Sequence, residues 1–380
     1  MANVLTDLAA DIYKAADIVG RELTGAASSV LINANGSDRV ALNDTVRSHF
    51  TRAATAGNVT PSMTIPQGTD QTVDNKTLTI DKARSVQIPW TGEDIQHVNN
   101  GSGFTSIYGD QIRQAMRTLA NEVEVDINVE GYQNASRAVG TAGATPFGSN
   151  FNVVAEARQI LVDNGCPTDN QITMVLNTLA GTKLRNLAQL QKANEAGGTD
   201  LLRQGALLDL QGIMLKESAG VQAHTDGTGS GYLVNTASLA IGDTVITADT
   251  GTGTILAGDV VTFENDTNKY VVVVALSGGS FTIASPGLLT APADNDTITV
   301  GAAYTGNIVF HRNAIELAMR APAVPTGGDA ADDAMVIQDP NSGLVFEIRS
   351  YKGYRKAMFE VAAAWGTKAW KPDFIATVLG

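Results

Sequence analysis

Four histidines (His49, His97, His224, His311), one cysteine (Cys166) and a file of carboxylates (Glu122, Asp126, Glu130) are the side chains that could do acid, base, nucleophilic or metal chemistry here. Their spacing argues against most of it. No histidine has a second His, Cys or carboxylate at metal-ligand spacing on a shared element, and there is no HExxH, so neither a metal nor a cofactor site is expected. Glu122, Asp126 and Glu130 are spaced to share one helix face. They could pair an acid with a base as glycoside hydrolases do, provided Glu122 or Glu130 lines a cleft. A face that is solvated or paired with Lys and Arg is the commoner outcome. Ser230 lacks the neighbours of a Gly-x-Ser-x-Gly elbow, and "AGTKL" lacks the upstream glycine of a phosphate loop. The glycines at 227–231 read as a hinge, "ENDTNK" at 264–269 as a polar hairpin tip, and His311 as a cap or interface residue. Cys166, beside Pro167, reads as a small buried thiol, and a single cysteine forms no disulfide within the chain. No catalytic residue is expected, and the chain is not read as an enzyme.

The composition points the same way. The 380 residues hold 43% hydrophobic and only 6% aromatic side chains with 38 glycines, which suits close backbone approaches and many turns better than an aromatic-rich pocket. With 26 Lys+Arg against 39 Asp+Glu, the formal charge of −13 is the wrong sign for a protein that grips phosphate backbones. The first residues lack the basic start and apolar core of a signal peptide, and no run has the apolar length of a membrane helix. A soluble protein made in the cytosol is expected.

The elements that would position these residues are mixed. Leu5, Leu8, Ile12, Val19 and Leu23 predict an amphipathic helix near the start, an arm over 1–56. Residues 57–92 read as a long two-stranded excursion, with Thr77–Ile80 and Ser85–Ile88 alternating polar and apolar and Pro61, Pro66 and Pro89 at ends or edges. Such a ribbon is marginal alone in water and needs a neighbouring subunit to lie on. Phe104, Ile112, Met116, Leu119, Val123 and Ile127 predict a long helix, although Glu122–Glu130 alone alternates like a strand. A helix from 152 stops at Gly165 and Pro167; "QITMVLN" reads as a strand, "TLAGTKLRNLAQLQKANE" as a helix, and "NIVFHRNAIELAMRAP" as a strand and then a short helix ended by Pro322. Between them, 227–304 carries six strand signals, at 232–235, 244–248, 259–264, 269–276, 280–284 and 297–300, enough to close a small barrel or sandwich. It reads as an inserted domain whose two ends emerge close together. The fold class is α+β.

Several stretches in order, "GNVTPSMTIPQGTDQ", "KARSVQIPWTGEDI", the helix from Phe104, "MVLNTLAGTKL", "LLDLQGIMLKESAGVQAHTDGTG", "NIVFHRNAIELAMRAP" and "DPNSGLVFEIRSYKGYRK", resemble the major capsid proteins of tailed bacteriophages. Within that family they are similar to the coat proteins of the short-tailed Salmonella phages. The resemblance implies a Hong Kong ninety-seven-type capsid fold: an N-terminal arm at 1–56, an extended loop at 57–92, and a peripheral domain at 93–165 plus 326–380 with a spine helix at 104–139. It also implies an axial domain at 166–226 plus 305–325, interrupted by a β-barrel at 227–304. It implies hexamers and pentamers in an icosahedral virion shell, a scaffolding protein, a portal protein, non-specifically packaged DNA, no membrane, and assembly in the bacterial host cytoplasm. Contacts between subunits are expected at Pro61, Pro66, Asp70, Lys76, Lys82, Arg84, Trp90, Asp266 and Lys269, without covalent crosslinks. The competing reading, a carbohydrate-binding or adhesive protein, would need Phe263, Tyr270 and Phe281 as an exposed platform on the insert.

Overall fold

The computed structural model describes residues 25–51, 56–65, 73–99, 104–191, 209–236, 238–339 and 342–380. The helix expected near the start lies outside them. The long helix forms over Phe104–Gln133. Ile112, Ala115, Met116, Leu119, Ala120, Val123 and Ile127 are buried, three or four residues apart, so the stripe continues through the strand-like stretch and settles it as helix. The helix stops short of 139. The Asn134 side chain donates back to the Glu130 carbonyl at 2.9 Å, and Arg137–Gly140 becomes a strand parallel to Ile375–Leu379.

Two sheets receive this helix. In the first, strands run in the order Leu31–Val40, Ile315–Pro322, Lys356–Ala369, Val345–Gly353, Ala331–Gln338, and Lys82–Thr91 also pairs with Lys356–Ala369. The second places Ile375–Leu379 and Tyr304–His311 between Arg137–Gly140 and Ile172–Leu176, with helix Asn152–Asp163 sharing a core with them on the side away from the long helix.

Ile315–Pro322 is a strand, not the short helix expected from its Glu, Leu, Ala, Met and Arg content. Ladders on both sides override helix propensity: the parallel one joins Leu31 to Glu316 and the antiparallel one Ala369 to Ile315. Both faces are buried, and the polar face is satisfied, with Glu316 accepting from Asn33 at 2.9 Å and Arg320 donating to the Asn33 side chain at 2.9 Å.

The two-stranded excursion also forms differently. Thr45–Thr51 pairs antiparallel with Val73–Thr79, from Thr45↔Thr79 to Thr51↔Val73, whereas Lys82–Thr91 is a body strand matched from Lys82↔Trp365 to Thr91↔Lys356. The alternation at 77–80 and 85–88 is real, but alternation fixes which face is apolar and says nothing about which strand lies alongside. Asn43, in the left-handed region at φ 71°, turns the chain, and the ribbon's base is closed by Asn43 N–H to Ile80 O at 2.8 Å and Ile80 N–H to Asp44 O at 2.9 Å. Leu78 and Ile80 are buried against Val40, Ala318 and Ala364, and a Cβ at Gly366 would stand 2.1 Å from Thr79 O, so the base packs tightly on the body.

The insert contains all six expected strands. Val260–Phe263 pairs with both Lys269–Ser277 and Thr297–Val300, which closes the run into a barrel around Ile246, Phe263, Tyr270, Val272, Phe281, Ile283 and Ile298. One turn recurs three times in it. The N–H groups of Ala240, Leu256 and Ala293 donate to the carboxylates of Asp243, Asp259 and Asp296 at 2.7, 2.6 and 2.7 Å, each over a left-handed residue (Gly242, Gly258, Asn295). The chain enters and leaves side by side, Tyr304 pairing with His224, and a further seam, Lys269↔Ala138 and Tyr270↔Arg137, joins the barrel to the body sheet.

Candidate assembly surface

The residues singled out for chemistry are mostly tied into the fold. Asp126 receives Lys82 Nζ at 2.6 Å and the Trp365 indole N–H at 2.8 Å; Glu130 accepts the Ala369 N–H at 2.8 Å with Lys368 at 4.0 Å; Glu122 sits 3.7 Å from Arg84. These three carboxylates dock the long helix onto strands Lys82–Thr91 and Lys356–Ala369, each with a basic partner, so the acid-and-base reading lapses. Burial holds Glu130 above the usual carboxylate range, opposed by the Ala369 N–H and Lys368.

His311 is a cap, its Nδ1 accepting the Asn313 N–H at 3.2 Å, and its Nε2 lies 3.1 Å from Asp169. Cys166 is buried, and desolvation followed by the Asp169 charge pushes its thiol up to about 11, leaving essentially no thiolate at neutral pH. Among the described residues, no group of three or more His, Cys, Asp or Glu is gathered for a metal ion.

The glycines at 227–231 are not a hinge. A Cβ at Gly227 would meet Thr254 O at 2.3 Å, and Gly229 N–H donates to that same carbonyl at 2.8 Å, so the chain is zipped where it enters the barrel. One constellation escaped the sequence. Buried Asp259 accepts His224 Nε2 at 2.8 Å, Gly227 N–H at 3.0 Å and Leu256 N–H at 2.6 Å, and the His224 ring packs against both Tyr132 and Tyr304, which also touch each other. The two partners are 35 positions apart on different elements, and no local spacing could reveal them.

Phe263, Tyr270 and Phe281 are at most 4% exposed, inside the barrel, and offer no platform for a sugar. The expected contact residues divide. Lys82 is bound to Asp126, Trp90 is buried with its indole donating to Gln111 at 3.0 Å, and Lys269 donates to Gly140 O. Asp266 accepts the Tyr270 hydroxyl at 2.6 Å and orders the hairpin turn through Asn268 N–H at 2.9 Å. Lys76 lies over the Trp370 ring, 5.3 Å from its centroid, at the ribbon base. With Arg84, paired to Glu122 at 3.7 Å, six of the nine thus have partners inside their own chain. Arg84 is largely exposed beside Glu122, Pro61 is exposed, and Pro66 and Asp70 lie outside the described residues.

What stands open is the far end of the ribbon. Every residue over 56–65 is exposed, and Val59, Met63 and Ile65 are at least 91% so. Burial of each of these three large apolar side chains would be worth about 1.5–3 kcal/mol.

No family model and no curated protein matches the chain. Among solved structures it is similar to a capsid structure of the cyanophage P-SCSP1u, at TM-score 0.48 and 12% identity over 93% of this chain and 86% of that one. It is also similar to a Mycobacterium phage Che8 structure, at TM-score 0.47 and 14% identity over 88% and 84%. A third is the crystal structure of a virus-like particle from Pyrococcus furiosus, at TM-score 0.44 and 8% identity over 98% and 100%.

Proposed function

We propose that the chain is a shell-forming subunit, a major capsid protein of the tailed-bacteriophage kind, with the ribbon of each copy covered by a neighbour. The carrying observation is the ribbon itself: paired and anchored at its base through Leu78 and Ile80, and bare at Val59, Met63 and Ile65. An isolated two-stranded ribbon gains too little burial to hold its shape, and repeated copies supply the missing surface. The ordered series of stretches that resembles the coat proteins of short-tailed Salmonella phages supports the same reading.

In these terms the extended loop is the segment between Asp44 and Ile80, the spine helix is Phe104–Gln133, and the barrel is an insertion in an axial domain. Hexamers and pentamers would close an icosahedral virion shell around double-stranded DNA, with a scaffolding and a portal protein as partners. A net charge of −13 suits a wall that does not hold that DNA tightly.

The test is electron microscopy of the protein expressed alone and with a scaffolding protein, next to a variant carrying V59D, M63D and I65D. Closed particles from the wild type, and folded but unassembled variant with an unchanged melting temperature, are expected. Small monodisperse wild-type species under both conditions overturn the reading.

A further inference from the structure

Lys82 and Trp365 stand opposite each other on adjoining strands, and both reach the same carboxylate on the long helix. Lys82 Nζ lies 2.6 Å from Asp126 Oδ1, and the Trp365 indole N–H donates to Asp126 Oδ2 at 2.8 Å. Two strands and a helix thus hold one amine against one carboxyl, with Nζ within attacking range of Cγ. Trp365 is fully buried and the Asp126 side chain is 17% exposed, so little water reaches the carboxyl.

The surroundings hold more acid than a salt bridge needs. Asp81 precedes Lys82, and burial, followed by the charge of Asp126, raises its carboxyl above the usual range. Glu130, one turn on from Asp126, is raised by burial and, to a smaller degree, by the charge of Asp81. Three carboxyls therefore share the root of the ribbon, and folding favours the protonated form of two of them. Holding Lys82 and Asp126 as a half-buried ion pair also desolvates two charges, a cost that a neutral amide would not carry.

We propose that Lys82 and Asp126 condense within one chain to an isopeptide bond, which fastens the root of the ribbon to the long helix. Nζ passes one proton to Asp126 Oδ1 and, as the free amine, forms the bond to Cγ, while the Trp365 N–H holds the charge developing on Oδ2. The Cγ–Oδ1 bond then breaks: Asp81 adds its proton, so that Oδ1 leaves as water, and takes one back from the new amide nitrogen. One ammonium and one carboxylate become one amide and one water, and the step needs neither an oxidant nor an activating group. The bond goes beyond the shell reading and does not depend on it.

Mass spectrometry of the full chain tests it, with the intact mass read beside a tryptic map for the wild type and for K82R, D126A, D126N and D81N. The wild type should be lighter than its sequence by one water, and its map should hold one branched peptide in which Lys82 is joined to Asp126. Lys82→Arg keeps the ion pair and Asp126→Ala removes it; both should have the full mass. Asp126→Asn can still condense, losing ammonia in place of water, and should give the same branched peptide, which an ion pair alone would not. Wild-type Lys82 and Asp126 recovered in separate linear peptides, at full intact mass, overturn the bond whether or not the variants fold. Complete linkage in Asp81→Asn overturns Asp81 as the proton donor.

Discussion

The Glu124 carboxylate, midway along the long helix, accepts the Ala26 N–H at 2.6 Å with one oxygen and the Ala27 N–H at 2.7 Å with the other. The carboxylate is buried, and the space around it is cut to shape: a Cβ at Gly25 would lie 1.9 Å from its Oε1, and one at Gly220 2.7 Å from its Cγ. Lys216, whose Nζ donates to Ser28 Oγ at 2.9 Å, closes the group. The chain therefore reaches strand Leu31–Val40 from one fixed point on the helix.

Glu124→Ala should cost roughly 3 kcal/mol, because it leaves two buried N–H groups without an acceptor. Glu124→Gln should recover only part of that, since its NH2 faces an N–H. Urea unfolding at neutral pH measures both. Stability within error of wild type in Glu124→Ala would show that the amides find other partners.

Glu130 supplies a pH signature. Its folded pKa is raised by burial, so the protonated form is the one folding favours; the contribution is fully present below the unfolded value and is lost as pH rises through the folded one. Glu130→Gln removes that titration while its carbonyl keeps the Ala369 hydrogen bond. The wild type should thus gain stability relative to Glu130→Gln as pH falls from 7 toward 4. Asp81, also raised by burial, titrates in both proteins, and its charge is one of the causes that raise Glu130. A difference flat with pH, or sloping the other way, refutes the assignment.

Gly227→Ala should be severe. Its Cβ would press on Thr254 O and, at 2.6 Å, on Asp259 Oδ2, so roughly 2–4 kcal/mol of destabilisation is expected. Gly231→Ala meets no atom within 4 Å but sits at φ 70°, and only the backbone penalty of about 1 kcal/mol applies. Melting temperatures in that order check the zipped crossing; equal, small shifts would restore the hinge.

These residues show why some of the fold was legible in the sequence. The barrel could be read strand by strand because its turns are local: an Asp three residues after a free N–H, with Gly or Asn before it, needs no knowledge of the rest of the chain. The ribbon could not be paired correctly, because Ser85–Ile88 alternates equally well for any partner and only the body decides that Lys356–Trp365 lies beside it. Ile315–Pro322 failed for a related reason, its helix-forming side chains losing to two ladders from distant segments. At the candidate surface, Lys82, Trp90 and Lys269 looked available because the residues that occupy them, Asp126, Gln111 and the Gly140 carbonyl, are 21 to 129 positions away.

Because His224 and Tyr304 stand opposite each other on adjoining strands, the whole barrel hangs from a doorway one rung wide, about 5 Å between Cα atoms. Any guest module whose own termini meet at that spacing can be grafted there without moving the host's frame. The host would forfeit the seam at Arg137–Ala138, the Asp259 bond to His224, the Lys269 bond to Gly140 O and the packing of Val260 and Val271 in the body core, so the guest must bring its own cover for that end of the sheet.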